Sequence, residues 1–210
     1  MSRSSEVHAE AHEAVVVRLG DGPDADLLRR AGERLVAAAH PGVVEVLSSS
    51  GTDDAWELRL VHAGRPIDLV GSLSVEQVAG AAAAVAATLA DLHAAGIVHG
   101  NIDASHVLIG PHGRPVLCGL GADGAGATPA DDVAAVGALM VALLGSTTEP
   151  EGMPARRLRR RKVRTGWARR SLLLVADQAC SDPPTRRPTA RRLAAAIAAS
   201  QSLGSCWTAF

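Results

Sequence analysis

Aromatic side chains are nearly missing from these 210 residues: they make up 2%, with no Tyr, three Trp (Trp56, Trp167, Trp207) and one Phe, Phe210. The core must therefore be aliphatic, and a hydrophobic content of 47%, carried by Ala, Val and Leu, is enough to build one. The same scarcity argues against a single-strand nucleic-acid binder, which stacks bases on aromatic platforms. Lysine is scarcer still, with Lys162 alone in the chain. Cys118, Cys180 and Cys206 stand far apart, so they form no C-x-x-C pair and no zinc spacing. An odd thiol count, with no apolar leader in the polar, acidic Met1–Glu13 segment, fits a reducing cytoplasm. The longest uncharged apolar stretches, Val78–Ala90 and Val133–Thr148, fall short of the roughly 20 residues that a bilayer crossing needs, so no transmembrane segment is expected.

Charge is plentiful but divided. The net charge of −1 conceals an acidic part, residues 1–155, with 8 Arg against 20 Asp and Glu. Residues 156–210 are basic, with 12 Arg and Lys162 against Asp177 and Asp182. The two parts either meet across the fold or face different partners. The length suits one domain or a small two-lobed unit, and the heavy use of Ala, Arg and Gly suggests a high-GC bacterial genome.

Hydrophobic patterning divides the chain into elements. Ala14–Leu19 is a short β-branched run that predicts a strand, and Ala25–Ala39 has helical spacing up to the break at His40-Pro41-Gly42. Val43–Leu47 and Trp56–Val61 predict two strands around a turn at Ser48–Asp54. Ser74 with Gln77 makes a capping box for a helix over Val75–Ala95, stopped at Gly96. Val107–Ile109 and Pro115–Cys118 predict a hairpin. Asp131 or Asp132 is the expected cap of a helix over Val133–Leu144, and Trp167–Cys180 and Thr189–Ser200 predict two more helices, with Trp167 as an anchor. The order is a small strand-containing part followed by a mainly helical part.

The middle of the chain carries the most specific pattern. His99-Gly100-Asn101-Ile102-Asp103-Ala104-Ser105-His106-Val107-Leu108-Ile109 resembles a protein-kinase catalytic loop, H-R-D-L-x-x-x-N followed by a strand. Leu92–Val98 resembles its lead-in, and Gly113–Gly121 the strand entering D-F-G. Asp132–Gly137 is similar to the D-V-x-x-L-G opening of a large helix, and Asp182–Ala190 to D-P-x-x-R-P-[ST]-A. Upstream, Val15-Val16-Val17-Arg18 sits where V-A-I-K would, and His40–Val44 resembles H-P-N-I-V. These pieces come in the right order over roughly residues 14–200. They resemble the bacterial Ser/Thr protein kinases of actinobacterial type, in a degenerate form.

The resemblance implies an α+β, two-lobed kinase-like fold: a tail over 1–13, a truncated strand-containing N-lobe over 14–71, a mainly helical C-lobe over 72–200 and a tail over 201–210. It also implies lost chemistry. Phosphoryl transfer in this family depends on positioned phosphates and metal ions. The catalytic Asp is replaced by Asn101, the metal-binding Asn by His106 and the D-F-G Asp by Gly119, so both oxygen ligands for Mg²⁺ are gone. Arg18 stands for the phosphate-pairing Lys, as a weak phosphate contact, and Ala31 aligns with its Glu partner. The Gly-rich loop and the activation segment have no room, which leaves Arg187 without its A-P-E partner. His99 and Leu120 match a packed column behind the site, and Asp132 matches the residue that holds the loop backbone.

With these losses, the resemblance implies a pseudokinase without cofactor that binds a protein as a regulatory scaffold. Two alternatives stand beside it. One is nucleotide binding without metal or turnover. The other is a weak phosphotransferase that uses Asp103 or Asp123 as a stand-in carboxylate. Gly119–Gly124 spells G-x-G-x-x-G, a dinucleotide fingerprint, but lacks the later acidic residue. The run Arg156, Arg157, Arg159, Arg160, Arg161, Lys162, Arg164, with Arg169 and Arg170 beyond it, is either a solvated face or loop between helices or a patch for an acidic protein or an anionic surface. Trp207 and Phe210 are either docked on the body or a partner contact.

Overall fold

The computed structural model describes residues 15–110, 112–120, 126–147 and 155–206, with the side chains of 155–164 and 202–206 excepted. The architecture is mixed α+β. Val15–Asp21 (β1) leads into helix α1, Pro23–Ala37. Pro23 fits the first turn because its ring presets φ and its missing N–H would have no partner there. Asp24 and Asp26 then complement the positive end of the helix. α1 turns Ala25 and Leu35 inward against β1 and a third strand, Ala55–Val61 (β3). The sheet is antiparallel in the order β1-β3-β2, with β2 over Val46–Gly51.

β2 departs from the sequence expectation. It starts three residues late and runs on through Ser48–Ser50, where a turn was predicted. A bulge between Val46 and Ser48 shifts its register. As an edge strand it tolerates serine on its open side, and Ser49 Oγ accepts a hydrogen bond from Trp56 Nε1 at 2.9 Å. Val43 and Val44 serve elsewhere: Val44 N donates to Leu117 O and Leu117 N to Gly42 O, both at 2.8 Å. These bonds stitch the first sheet to a second one, β4-β5-β6, formed by Arg65–Pro66, Val107–Ile109 and Pro115–Leu117.

Helix α2, Val75–Ala94, has the expected capping box: Ser74 Oγ accepts from Gln77 N at 3.2 Å, and Gln77 Oε1 accepts from Ser74 N at 2.8 Å. By length and composition α2 is the one described helix apolar enough to cross a bilayer. Its apolarity has a simpler cause, because Val78, Val85, Leu89 and Leu92 are buried and the helix packs on two others, Pro129–Gly145 (α3) and Ala190–Cys206 (α5). One contiguous core joins Leu35 and Leu58 of the first part to Met140, Leu193 and Ile197 of the second.

Three further expectations need correction. The cap of α3 is Thr128, not Asp131 or Asp132; Thr128-Pro129-Ala130-Asp131 forms a capping box with Pro at the start, so the helix begins earlier. The basic run is not a loop, since it makes the first turns of Ala155–Ala179 (α4). Arg has good helix propensity, and a run of arginines forms a helix without any apolar stripe to mark it. Trp167 is no anchor, being 67% exposed, because that position falls on the outer face of α4. The expected tails, 1–13 and the last residues with Trp207 and Phe210, lie outside the described residues, apart from the backbone of 201–206, which continues α5.

The stitch between the two parts leaves no room for a side chain at Gly42. A Cβ there would overlap Thr88 Oγ1 and come 2.9 Å from its Cγ2, and Thr88 is buried on α2. Gly42→Ala is expected to cost about 1–3 kcal/mol in urea denaturation through overpacking. Thr88→Ala in the same chain should recover part of that loss. Additive effects of the two changes would show that the contact is not the cause.

Candidate functional site

Asp132 lies one turn into α3 and is 2% exposed. Its Oδ2 accepts the His99 amide at 2.9 Å and its Oδ1 the Gly100 amide at 2.8 Å. His93 Nε2, from the last turn of α2, lies 2.8 Å from Oδ2. Three donors from two segments thus converge on one buried carboxylate, whose place near a helix N-terminus is also electrostatically favourable. The sequence points to Asp132 but not to His93 as its partner.

His99 is fully buried, and its Nδ1 accepts the Asn101 amide at 3.3 Å, so the ring proton belongs on Nε2. Nε2 has no aligned acceptor among the described residues. Burial pushes the pKa of His99 down to about 4, with the Asp132 carboxylate opposing, so the ring is neutral at pH 7.

Across the loop, Gly119 has φ 75, and a Cβ there would overlap His106 Cδ2 and lie 2.8 Å from Nε2. The imidazole of His106 therefore fills the space that a side chain at position 119 would take. His106 Nδ1 lies 3.0 Å from Asp103 Oδ1 but out of line for a hydrogen bond. Asp103 Oδ1 accepts from Ser105 N at 2.7 Å, Ser105 Oγ at 2.6 Å and His106 N at 3.0 Å. Partial burial raises its carboxyl pKa, but the Ser105 hydroxyl and the two amides outweigh this and hold it below the usual range. Asp103 closes its own turn.

Cys118 N donates to His106 O at 3.0 Å, and the thiol is buried at the rear of the site. Burial raises its pKa against the field of Arg18, so it is not a poised thiolate. Arg18, exposed on β1, acts on this cluster through that field. Glu33, near the expected partner position, instead binds Arg29 at 2.7 Å. Leu120 is buried. The structure thus gathers Asn101, His106, Gly119, His99 and Asp132 on two adjoining segments and α3, with Arg18 approaching from the first sheet.

Arg187 sits elsewhere and has partners of its own. It donates to Ser181 O at 3.0 Å, and to Ala130 O and Asp131 Oδ1 at 3.1 Å each. The Thr128 hydroxyl, then Arg187, holds the Asp131 carboxyl below its usual range. The capping box that places Asp131 at the third helical position was the signal available in the sequence. Arg169 turns to α3, donating to Leu144 O at 3.3 Å, while the side chains of 156–164 lie outside the described part of the chain. Asp123 and most of Gly119–Gly124 also lie outside the described residues. Among those described, no three His, Cys, Asp or Glu gather as a metal group.

No protein-family model matches the chain, and no curated protein is similar enough to it to stand as a relative.

Two measurements probe this cluster. His99 has a folded pKa of about 4 against an ordinary 6.5, so the unfolded chain takes up the proton first as pH falls. Stability present above pH 6.5 is therefore lost toward pH 4, at up to about 1.4 kcal/mol per pH unit. Urea denaturation at pH 7 and pH 5 should show this loss, and His99→Asn should shrink it; an unchanged pH dependence would remove His99 as the cause. In the second test, Gly119→Ala should lower the Tm because of both the overlap with His106 and the positive φ. Adding His106→Ala should restore only the steric share, since the strained backbone remains.

Proposed function

We propose that this chain is a pseudokinase: a protein-kinase-like fold that does not carry out metal-dependent phosphoryl transfer and acts as a protein-binding regulatory scaffold. The motif order supports the likeness, and the element order supports it too. A strand, a helix packed on an antiparallel sheet and two further strands are followed by a long helix, a loop, a hairpin and a helical remainder. The clamp of Asp132 on the amides of His99 and Gly100 is what a rigid loop at that point needs.

One observation carries the loss of chemistry. The residue types that would grip Mg²⁺ beneath a nucleotide are a carboxylate and an amide oxygen. Here one position is Gly119 and the other is His106, whose ring occupies the space beside Gly119. These residues do not fit a hydrated hard cation, and no step is derived through Mg²⁺ or ATP. Asn101, a neutral amide, cannot take a hydroxyl proton as a carboxylate does. Asp103, the nearest carboxylate in sequence, is engaged by its own turn.

A thermal-shift titration with ATP, in the presence and absence of Mg²⁺ or Mn²⁺, is the direct check, because a ligand that prefers the folded state raises its Tm. The expected result is no metal-dependent rise at millimolar nucleotide and no transfer of labelled γ-phosphate. A metal-dependent shift accompanied by transfer would replace the scaffold reading with an enzyme. A shift from ATP alone would favour a nucleotide-sensing module.

A further inference from the structure

Helix α4 is built unlike the rest of the molecule. Its first sixteen residues, 155–170, hold nine basic residues and no acid. Cations repel one another at i,i+3 and i,i+4 spacing, and a helix N-terminus disfavours positive charge. The first turn has no acidic residue to offset this. The helix is 25 residues long, and its second half is held by Leu172, Ala176 and Ala179, which are buried. The first half therefore brings no counter-charge within its own sequence.

The outer face adds a second, independent feature. Trp167 and Leu174 are seven residues apart, so they lie on one stripe, and they are 67% and 63% exposed. They are two of the largest apolar side chains on the described surface, and Arg170, also exposed, lies between them. Continued along the helix at 3.6 residues per turn, the same stripe passes through positions 163, 160 and 156. Its composition is Arg156, Arg160, Val163, Trp167, Arg170 and Leu174 over about 27 Å.

Several acids among the described residues are engaged away from α4. Asp26 pairs with Arg29 and Arg30, Glu33 with Arg29, Asp91 with His40 and Asp132 with His93. Asp131 does reach a residue of the basic part, but that residue is Arg187, outside α4.

We propose that α4 is a surface-docking helix for an anionic lipid bilayer, lying in the headgroup plane with its Arg residues on lipid phosphates and Trp167 and Leu174 at the acyl boundary. A polyanion alone would account for the charge but would gain nothing from two exposed apolar side chains on the same stripe. An interfacial helix uses both, with Trp favoured at headgroup depth and Arg drawn to anionic lipid. This inference does not rest on the pseudokinase reading and would stand if that reading failed.

The full-length chain is tested by co-sedimentation with vesicles of phosphatidylcholine alone and with about one third phosphatidylglycerol. Binding is expected only to the anionic vesicles, and raising salt from 0.1 to 0.5 M should weaken it at least tenfold, by screening. Arg160→Glu with Arg164→Glu should remove it. Trp167→Ser should lower the partition coefficient about fivefold at constant salt, and Leu174→Ser should do so to a lesser extent. Both sites are exposed, and circular dichroism checks that the variants fold. The proposal is overturned if anionic vesicles are not bound at low salt. It is equally overturned if binding survives both apolar substitutions and is matched by heparin, which would mark a face for soluble polyanions.

Discussion

The carboxylate of Asp132 holds the centre of the molecule together. It is a buried charge, and such a group is tolerable only when its oxygens are saturated with donors. Two consecutive amides of the loop, His99 N and Gly100 N, and the imidazole of His93 supply them. The loop therefore cannot move without exposing a buried anion to an apolar core. The same need explains why α3 starts at Thr128. Neighbouring residues on a helix point about 100° apart, so Asp131 caps outward while Asp132 points in. Had Asp131 or Asp132 been the cap itself, neither the clamp nor the Arg187 contact would have formed. One register choice at the start of a helix thus fixes two polar networks at once.

How far this could be read from residues alone differed by element. α2 was legible nearly to the residue, because Ser74 and Gln77 mark its start and Gly96 its end. The hairpin at 107–117 was legible from its β-branched runs and turn residues. β2 was not, since serines signal a turn locally and only the sheet's open edge lets them continue a strand. The start of α4 was not legible either, because apolar periodicity is silent in a run of arginines. At the candidate site the loop, His99 and Asp132 stood out by motif, whereas His93 and the Asp131–Arg187 pair are products of tertiary approach.

His106 and Gly119 are best understood as one unit. A ring as large as imidazole fits at 106 because 119 has no side chain, and the positive φ at 119 is cheap because it is glycine. Each makes the other tolerable, so neither can revert alone to a larger or differently shaped residue without a clash or a void. The ring packed beside a glycine, next to the loop that Asp132 clamps, makes this a closely filled point of the molecule.

Rigidity there and charge at α4 lie on different parts of the same helical framework. α4 packs on α3, whose first turns carry Asp132, and Arg169 of α4 caps the last carbonyls of α3 through Leu144 O. The lysine-poor composition fits this arrangement. Arginine forms a planar fork of donors that can satisfy a helix C-terminus, as Arg169 does, or bridge two carbonyls and a carboxylate, as Arg187 does. The arginines with described partners in the basic part close the helical framework. The contrast lies in the sequence: the opening turns of α4 carry cations with no acid among them, whereas Arg169 and Arg187 are spent on carbonyls and a carboxylate within the helical framework.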